Sequence, residues 1–149
     1  MICYSTYLTL KTCQPMEIID LTTPLREQVR QSQVQQGQIL VSVQHTTTAL
    51  AINENESRLW QDIETFFQRL VPASDRYRHN DLHLRDVPAD EPENAHAHLI
   101  ALLLGSNEAI AIQAGDLVLG QYQSVLFLEL DGPRQRRVHC QIMGMGEEA

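Results

Sequence analysis

Three histidines stand outside the apolar patterning of this chain and could bind a metal ion or transfer protons. His45 follows a predicted strand, His79 lies in the segment YRHND, and His98 lies in NAHAHLIALLLG. An imidazole ligates divalent metals and exchanges protons near neutral pH. The spacing matches neither HExxH nor a short zinc motif. Each histidine could therefore also be a hydrogen-bonded structural residue or a solvated loop residue.

His96 and His98 cannot both serve one site if the helix that contains them is regular. Residues two apart on a helix project about 200° from one another around its axis. Leu99 and Leu102 place His98 near the packed face, whereas His96 points away from it. We therefore predict His98 as the functional residue of the two.

Polar residues also crowd the segment QHTTTALAINENE, residues 44–56. Glu54 follows an apolar strand pattern and is flanked by Asn53 and Asn55, which favour a bend. A carboxylate in this position could act as a general base or a metal ligand. The alternative is that NENE caps the next helix, because acidic residues are favoured at a helix N-terminus. The local chemistry leaves both interpretations open.

Charged residues near the last turn are further candidates. Arg134 and Arg136 follow the DGP turn, and alternate residues of a strand share a face, so either could bind an anion. A solvated hairpin tip is the alternative. Glu129 interrupts the apolar run VLFLEL and is expected to be a site residue or an edge charge.

The elements that must position these residues predict an α+β fold. Helical periodicity predicts helices over 23–37, ending at Gly37, over 57–70, and over 94–105. The remaining apolar segments alternate as strands, and those after the last helix are joined by short turns, which favours a mostly antiparallel sheet with two or three packed helices. Residues 72–93 form a long polar loop, which in a compact domain is either disordered or functional.

Composition excludes several classes of function. The 149 residues predict one domain, and a net charge of −8 without a basic run argues against nucleic-acid binding. Lys11 is the only lysine, so a Schiff-base mechanism is disfavoured. Three cysteines without CxxC spacing fit a reducing compartment. No signal peptide or membrane-spanning run is present, so we predict a cytoplasmic protein without a membrane partner.

Several of these segments resemble the YjbQ-like family, described as secondary thiamine-phosphate synthases. The resemblance rests on QHTTTALAINENE, YRHND, NAHAHLIALLLGS, GDLVLGQYQSVLFLELDGPRQRRV and the closing MG, in that order. It covers nearly the whole chain and implies a single YjbQ-like domain over 1–149, with a β-sandwich-like sheet and assembly as a homotrimer. One departure is the segment GQYQS, where the family has GTWQG, which alters one side of any pocket.

The resemblance also implies roles for individual residues. A divalent metal ion, zinc or magnesium, would be held by His45, His79 and His98. Catalysis would involve Glu54 and His45. Substrate would be bound by Thr47, Asn53, Arg136 and Arg137.

The implied activity is a metal-dependent synthase reaction. It would join a pyrimidine pyrophosphate to a thiazole phosphate and release pyrophosphate, or act on a related small phosphorylated or heteroaromatic ligand. The first alternative is a homotrimer that binds a divalent metal or small ligand without catalysis. The second is an interaction module whose polar cluster joins subunits.

Overall fold

A computed structural model describes residues 1–147, and the predicted α+β fold with mostly antiparallel strands is confirmed. The described residues form eight strands and three helices. The strands are β1 (Ile2–Lys11), β2 (Glu17–Asp20), β3 (Gln36–Val43), β4 (Thr48–Asn53), β5 (Asn107–Gln113), β6 (Asp116–Leu117), β7 (Ser124–Glu129) and β8 (Gln135–Met145). The helices are α1 (Thr22–Ser32), α2 (Ser57–Leu70) and α3 (Ala95–Leu104).

The strands form two antiparallel sheets. The large sheet has the order β1-β8-β3-β5-β6, and the small sheet has the order β2-β7-β4. β3 and β4 are consecutive in the chain but belong to different sheets, because β4 pairs with β7. The short segment between β3 and β4 therefore crosses from one sheet to the other.

The small sheet is covered on both faces, which explains its continuous apolar run VLFL. Val125 and Phe127 contribute to a core that lies against the large sheet and α1. Leu126 and Leu128 point the other way, into a core shared with α2 and α3. Strands buried on both faces lose the alternation of polar and apolar residues that marks a half-exposed strand.

The two helices beside the small sheet differ in how they begin and what they expose. Glu56 caps α2, and its carboxylate accepts hydrogen bonds from the backbone N–H groups of Arg58 and Leu59. α3 is apolar on nearly all sides. It buries Ala97 and Ile100 and leaves three side chains exposed, namely Leu99, Leu102 and Leu103.

The structure corrects two local predictions and adds detail to a third. α1 ends at Ser32, and Gly37 lies inside β3, where an added Cβ would collide with the carbonyl oxygen of Met143. The segment DLVLGQYQ is one of the apolar segments after the last helix that were expected to be strands, and only its first two residues form one, β6, with a turn after it. The long loop contains two short 3-10 turns, Arg78–Asn80 and Leu82–Leu84. Within residues 1–147, no helix is long and apolar enough to cross a membrane.

Candidate functional site

The candidate site lies where the chain crosses from the large sheet to the small sheet. β3 ends at Val43, residues 44–47 make the crossing, and β4 begins at Thr48. A pocket of about 440 Å³ opens beside this crossing, against the start of α3 and the segment after β7. Its lining includes His45, Thr47, Asn94, His98, Asp131 and Arg136.

His79 and His98 form a pair of imidazoles beside this pocket. Their ring centroids are 4.8 Å apart, and the ring planes meet at 72°. Burial lowers the pKa of His98, and the neighbouring His79 lowers that pKa further, which favours the neutral ring. The Nε2 atom of His79 is buried and has no hydrogen-bond partner within residues 1–147. The 3-10 turn and α3 thus bring together two rings from distant parts of the sequence.

His45 lies in the same pocket. Its ring accepts a hydrogen bond from β8 at the position where β3 no longer pairs with that strand. The pairing of β3 with β8 ends where Val43 lies opposite Val138. The next backbone N–H of β8, that of Arg137, donates a hydrogen bond to Nε2 of His45 at 3.1 Å. Burial lowers the pKa of His45, and the charge of Arg136 lowers it further.

The three histidines do not form a closed metal site within one chain. Among the residues that the structure describes, no group of three or more His, Cys, Asp or Glu side chains could hold a metal ion. His79 and His98 suit a metal such as zinc, because their rings are adjacent and Nε2 of His79 is unbonded. His45 does not suit it, since its Nε2 already accepts a hydrogen bond. The predicted three-histidine ligand set stays a prediction, with two of its members in contact.

A buried ion pair supports the floor of the pocket. Arg136 donates from Nε and Nη2 to the two carboxylate oxygens of Glu129, at 2.8 and 2.7 Å. Thr12 and Thr47 complete the network, since Thr12 donates to Glu129 at 2.9 Å and Thr47 accepts from Arg136 at 3.0 Å. Burial alone would raise the pKa of Glu129, but the hydrogen bonds, led by that of Arg136, outweigh it and lower the pKa.

This network bears on two predicted substrate-binding residues. Arg136 is only 5% exposed, and its Nε and Nη2 atoms are committed to Glu129. Thr47 is equally buried and supports Arg136. Both line the pocket, but their contacts within the chain are structural, and substrate binding by them stays a prediction.

Asn94 is a pocket residue that sequence reasoning missed. Its side chain is 6% exposed, and its Nδ2 donates to a carboxylate oxygen of Asp131 at 2.8 Å. Its Oδ1 is buried and has no partner among residues 1–147. Buried polar atoms are rarely left without a partner, so this acceptor is available to a ligand, an ion or water. In the sequence, Asn94 resembles an ordinary residue at the start of a helix, and no pattern distinguishes it.

Other predicted site residues lie outside the pocket. Asn53 and Glu54 are at the far end of β4, where the Oδ1 of Asn53 accepts a hydrogen bond from the backbone N–H of Glu54 at 2.8 Å. The side chain of Arg137 lies over the ring of Tyr7, 3.9 Å from its centroid. The roles predicted for these three residues stay predictions. Asn53 and Glu54 lie at the other end of β4 from His45, whereas the charge of Arg137 is near enough to help lower the pKa of His45.

The predicted divergence of His96 and His98 agrees with their surroundings, but the predicted packed face is wrong, because Leu99 and Leu102 are 40% and 80% exposed. His96 lines a second cavity of about 440 Å³ on another side of α3, together with Glu64 and Ile100. His98 lines the pocket that contains His45. Helical geometry therefore directs the two rings into different environments.

The chain is similar to proteins of one family throughout its length. The family model described as UPF0047 protein YjbQ-like matches residues 6–145. A UPF0047 protein of Archaeoglobus fulgidus is 45% identical over 131 residues, which cover 88% of this chain and 94% of that protein. A UPF0047 protein of Methanothermobacter thermautotrophicus is 38% identical, with 95% and 92% of the two chains covered.

Two solved structures are similar to this fold. A YbjQ-like protein of unknown function from Sulfolobus solfataricus superposes with a TM-score of 0.86 and 33% identity, covering 96% of this chain and 98% of that one. A hypothetical protein from Aeropyrum pernix superposes with a TM-score of 0.85 and 35% identity, covering 95% and 99%.

Proposed function

The chain belongs to the UPF0047 family of YjbQ-like proteins, and we propose that its histidine pocket is the active site of an enzyme for small phosphorylated or heteroaromatic substrates. One observation carries the proposal: two adjacent imidazoles, and two buried polar atoms without hydrogen-bond partners, lie beside one pocket. Burial lowers the pKa of His98, and both Nε2 of His79 and Oδ1 of Asn94 lack partners within residues 1–147. Such groups are available for substrate, metal ion or proton.

The specific reaction that we propose is a secondary thiamine-phosphate synthase activity. The ring nitrogen of a thiazole phosphate would attack the methylene carbon of a pyrimidine pyrophosphate. The carbon–oxygen bond would break, and pyrophosphate would leave with the electron pair. Arg134 and Arg136 line the pocket and would stabilise the negative charge that develops on the leaving group. His98 would act at the same pocket as a ligand of the metal ion that neutralises this charge.

A divalent metal ion belongs to the proposal, with His79 and His98 as the residues that would hold it. When bound, such an ion would neutralise pyrophosphate charge as a Lewis acid. Imidazole ligands favour zinc, whereas magnesium prefers oxygen ligands and retains water. Zinc is therefore the better match to this pair.

The proposed cytoplasmic location is supported by three free cysteines, Cys3, Cys13 and Cys140.

The proposed homotrimer would form through the exposed apolar side of α3. Leu99, Leu102 and Leu103 are 40%, 80% and 63% exposed, and exposed apolar patches mark association surfaces. The proposed catalytic role of Glu54 and the substrate-binding role of Asn53 then require a neighbouring copy. Both residues lie at the far end of β4 and would have to enter the pocket of another chain.

The test of the synthase proposal compares His98→Ala with His83→Ala, because His83 is an exposed histidine outside the pocket. Thiamine phosphate and pyrophosphate would be measured after incubation with the two substrates, and metal content by elemental analysis. We expect His98→Ala to lose at least about a hundredfold in turnover, the scale of acid–base or electrostatic contributions. His83→Ala should keep both activity and metal. Normal turnover in His98→Ala, with the trimer intact on a sizing column, would refute the assignment.

Mixing of variants tests the shared site. An equal mixture of His98→Ala and Glu54→Gln chains, unfolded and reassembled together, should recover part of the wild-type activity. Some sites would then combine an intact histidine pocket with an intact Glu54. The control mixture of His98→Ala with His79→Ala should recover none, since both changes fall in the same pocket. Equal recovery in both mixtures would argue against a contribution of Glu54 from a neighbouring chain.

The alternative function is a non-catalytic homotrimer that binds a divalent metal or small ligand. It is favoured by the ion pairs of the pocket arginines, since Arg134 pairs with Asp131 and Arg136 with Glu129. These arginines are less available for catalysis than unpaired ones. Zinc or pyrophosphate would then raise the melting temperature by mass action without product formation. Product formation that depends on His98 would exclude this alternative.

A further inference from the structure

We infer that His45 enters the pocket as a fixed hydrogen-bond donor, in the tautomer that carries its proton on Nδ1, and is not a metal ligand. This inference deepens the proposed function, because it assigns different roles to His45 and to the pair His79 and His98. It rests on the proposed function for the meaning of the pocket. The tautomer itself is a property of the protein without any ligand.

The backbone of β8 imposes the tautomer. The N–H of Arg137 points to the side of β8 where β3 has ended, and Nε2 of His45 accepts its hydrogen bond at 3.1 Å. The pairing of β3 stops at Val43 opposite Val138, whereas β1 continues along the other side of β8 with Thr9 opposite Arg137. The His45 ring therefore satisfies a strand donor that no backbone group reaches.

An imidazole nitrogen that accepts a hydrogen bond cannot carry a proton. In the neutral ring the proton must then reside on the other nitrogen, so His45 presents an Nδ1–H group. Metal binding through Nε2 would require the bond to the Arg137 amide to break. Metal binding through Nδ1 would require that nitrogen to lose its proton and the ring to become an imidazolate. Neither nitrogen is a ready ligand in this arrangement.

The buried ion pair fixes the position of the donor, the backbone N–H of Arg137. Arg136 immediately precedes the amide in question and is held by Glu129 and Thr47 through bonds of 2.7 to 3.0 Å. The start of β8 is therefore tied to the end of β7 and to the crossing segment. An amide held in this way keeps the ring of His45 in one orientation.

The histidines of the pocket are therefore suited to different parts of a ligand. The Nδ1–H of His45 is suited to an oxygen that accepts a hydrogen bond, such as a phosphate or pyrophosphate oxygen. His79, with an unbonded Nε2, and His98 remain as the imidazoles suited to a cation. A ligand that carries both an oxyanion and a bound cation would match both parts.

The experiment measures the imidazole nitrogens of His45 by NMR in protein labelled with nitrogen-15 at histidine, without substrate or metal. Arg137→Pro removes the backbone N–H. The matched control Arg137→Ala removes the side chain and keeps the backbone N–H. We expect the wild type and Arg137→Ala to show protonated Nδ1 and unprotonated Nε2. Arg137→Pro should lose this fixed pattern. Protonated Nε2 in the wild type, or the same pattern in both variants, would overturn the inference.

A second measurement decides the matter if Arg137→Pro does not fold. With uniform nitrogen-15 labelling of the wild type, a scalar coupling between the Arg137 amide nitrogen and Nε2 of His45 reports their hydrogen bond directly. Its presence supports the inference, and its absence contradicts it. Zinc is then added to the same sample. The coupling should persist while the resonances of His79 or His98 shift, and its loss on zinc binding would show His45 to be a ligand.

The ligand-free measurement separates this inference from the proposed function. Absence of synthase activity would leave the tautomer of His45 unchanged and would count only against the reaction. A wrong tautomer in an active enzyme would count only against the role of His45.

Discussion

The two ends of β4 look alike in the sequence and differ completely in the structure. The end near His45 is packed with buried polar groups, since Thr47 and Thr48 are 5% and 1% exposed. The end at Asn53 and Glu54 is exposed to solvent. β4 has six residues, so at a rise of about 3.3 Å per residue its first and last residues are about 17 Å apart.

The difference lies in what the polar groups bind. At the far end two contacts are local, since Asn53 bonds to the N–H of its neighbour and Glu56 caps α2, and one exposed contact is distant, since Nδ2 of Asn55 donates to Asp20 at 2.6 Å. At the near end the partners are distant in sequence, since Thr47 bonds to Arg136 and His45 to the backbone of Arg137. The local partners terminate secondary structure, whereas the buried distant partner of Thr47 helps to build the pocket floor. A dense polar segment can therefore contain both.

The largest effect is expected when the buried carboxylate of Glu129 is removed. Glu129→Ala leaves Arg136 buried without its counter-ion and should lower the free energy of unfolding by about 3–5 kcal/mol. Glu54→Ala, at the exposed end, should change it by less than about 0.5 kcal/mol. Urea unfolding of both variants measures the difference. Losses of similar size would mean that the two ends do not differ as described.

A smaller effect is expected from the threonine next to the ion pair. Thr47→Val removes the acceptor of one Arg136 hydrogen bond and should cost about 1–2 kcal/mol. Thr46→Val is the matched control, because Thr46 is exposed, and it should be nearly neutral. Urea unfolding again provides the measurement. A neutral Thr47→Val would show that the Glu129 contacts alone hold the arginine.

The near end should also make stability depend on pH. The pKa values of His45 and His98 are lowered in the folded protein, so as pH falls below about 6.5 the unfolded state binds protons first. The free energy of unfolding should therefore decrease with falling pH in this window. The lowered pKa of Glu129 adds a second decrease below about pH 4.3.

Urea unfolding across these two windows measures the pH dependence. His98→Ala should flatten the upper window, and the exposed His83→Ala should not. An unchanged slope in His98→Ala would assign the pH dependence of the upper window to His45 or to groups outside the pocket.

The smallest effect is expected at the far end itself. Glu56→Ala removes the acceptor for two N–H groups at the start of α2 and should increase amide hydrogen exchange in that first turn. The amides of α3 should keep their protection, because the cap is local. Faster exchange at His98 in this variant would reveal coupling between the two ends of β4.

Much of the fold could be predicted from the sequence because its signals are local. The helix over 57–70 was predicted with the bounds that α2 has, and the opposite directions of His96 and His98 follow from helical geometry. The end of α1 was misplaced, because Gly37 matches a helix stop in sequence. Its real constraint is the approach of the neighbouring strand, which no local pattern reveals.

The candidate site was only partly predictable for the same reason. His98 and His45 were identified as site residues by their chemistry and by the family resemblance, and the pocket contains both. The pairing of Glu129 with Arg136 and the free oxygen of Asn94 were not predicted. These features depend on which strand ends lie side by side and on how deeply each atom is buried.

The sequence by itself therefore determined the α+β class, the amphipathic character of α2 and the family to which the chain belongs. Hydrophobic periodicity and motif order are properties of neighbouring residues, so they are visible without coordinates. Only the tertiary structure decided that β3 and β4 belong to different sheets and that His45 meets the amide of Arg137. Strand pairing and burial arise from contacts between residues far apart in the chain, and those contacts decide which polar groups become a site.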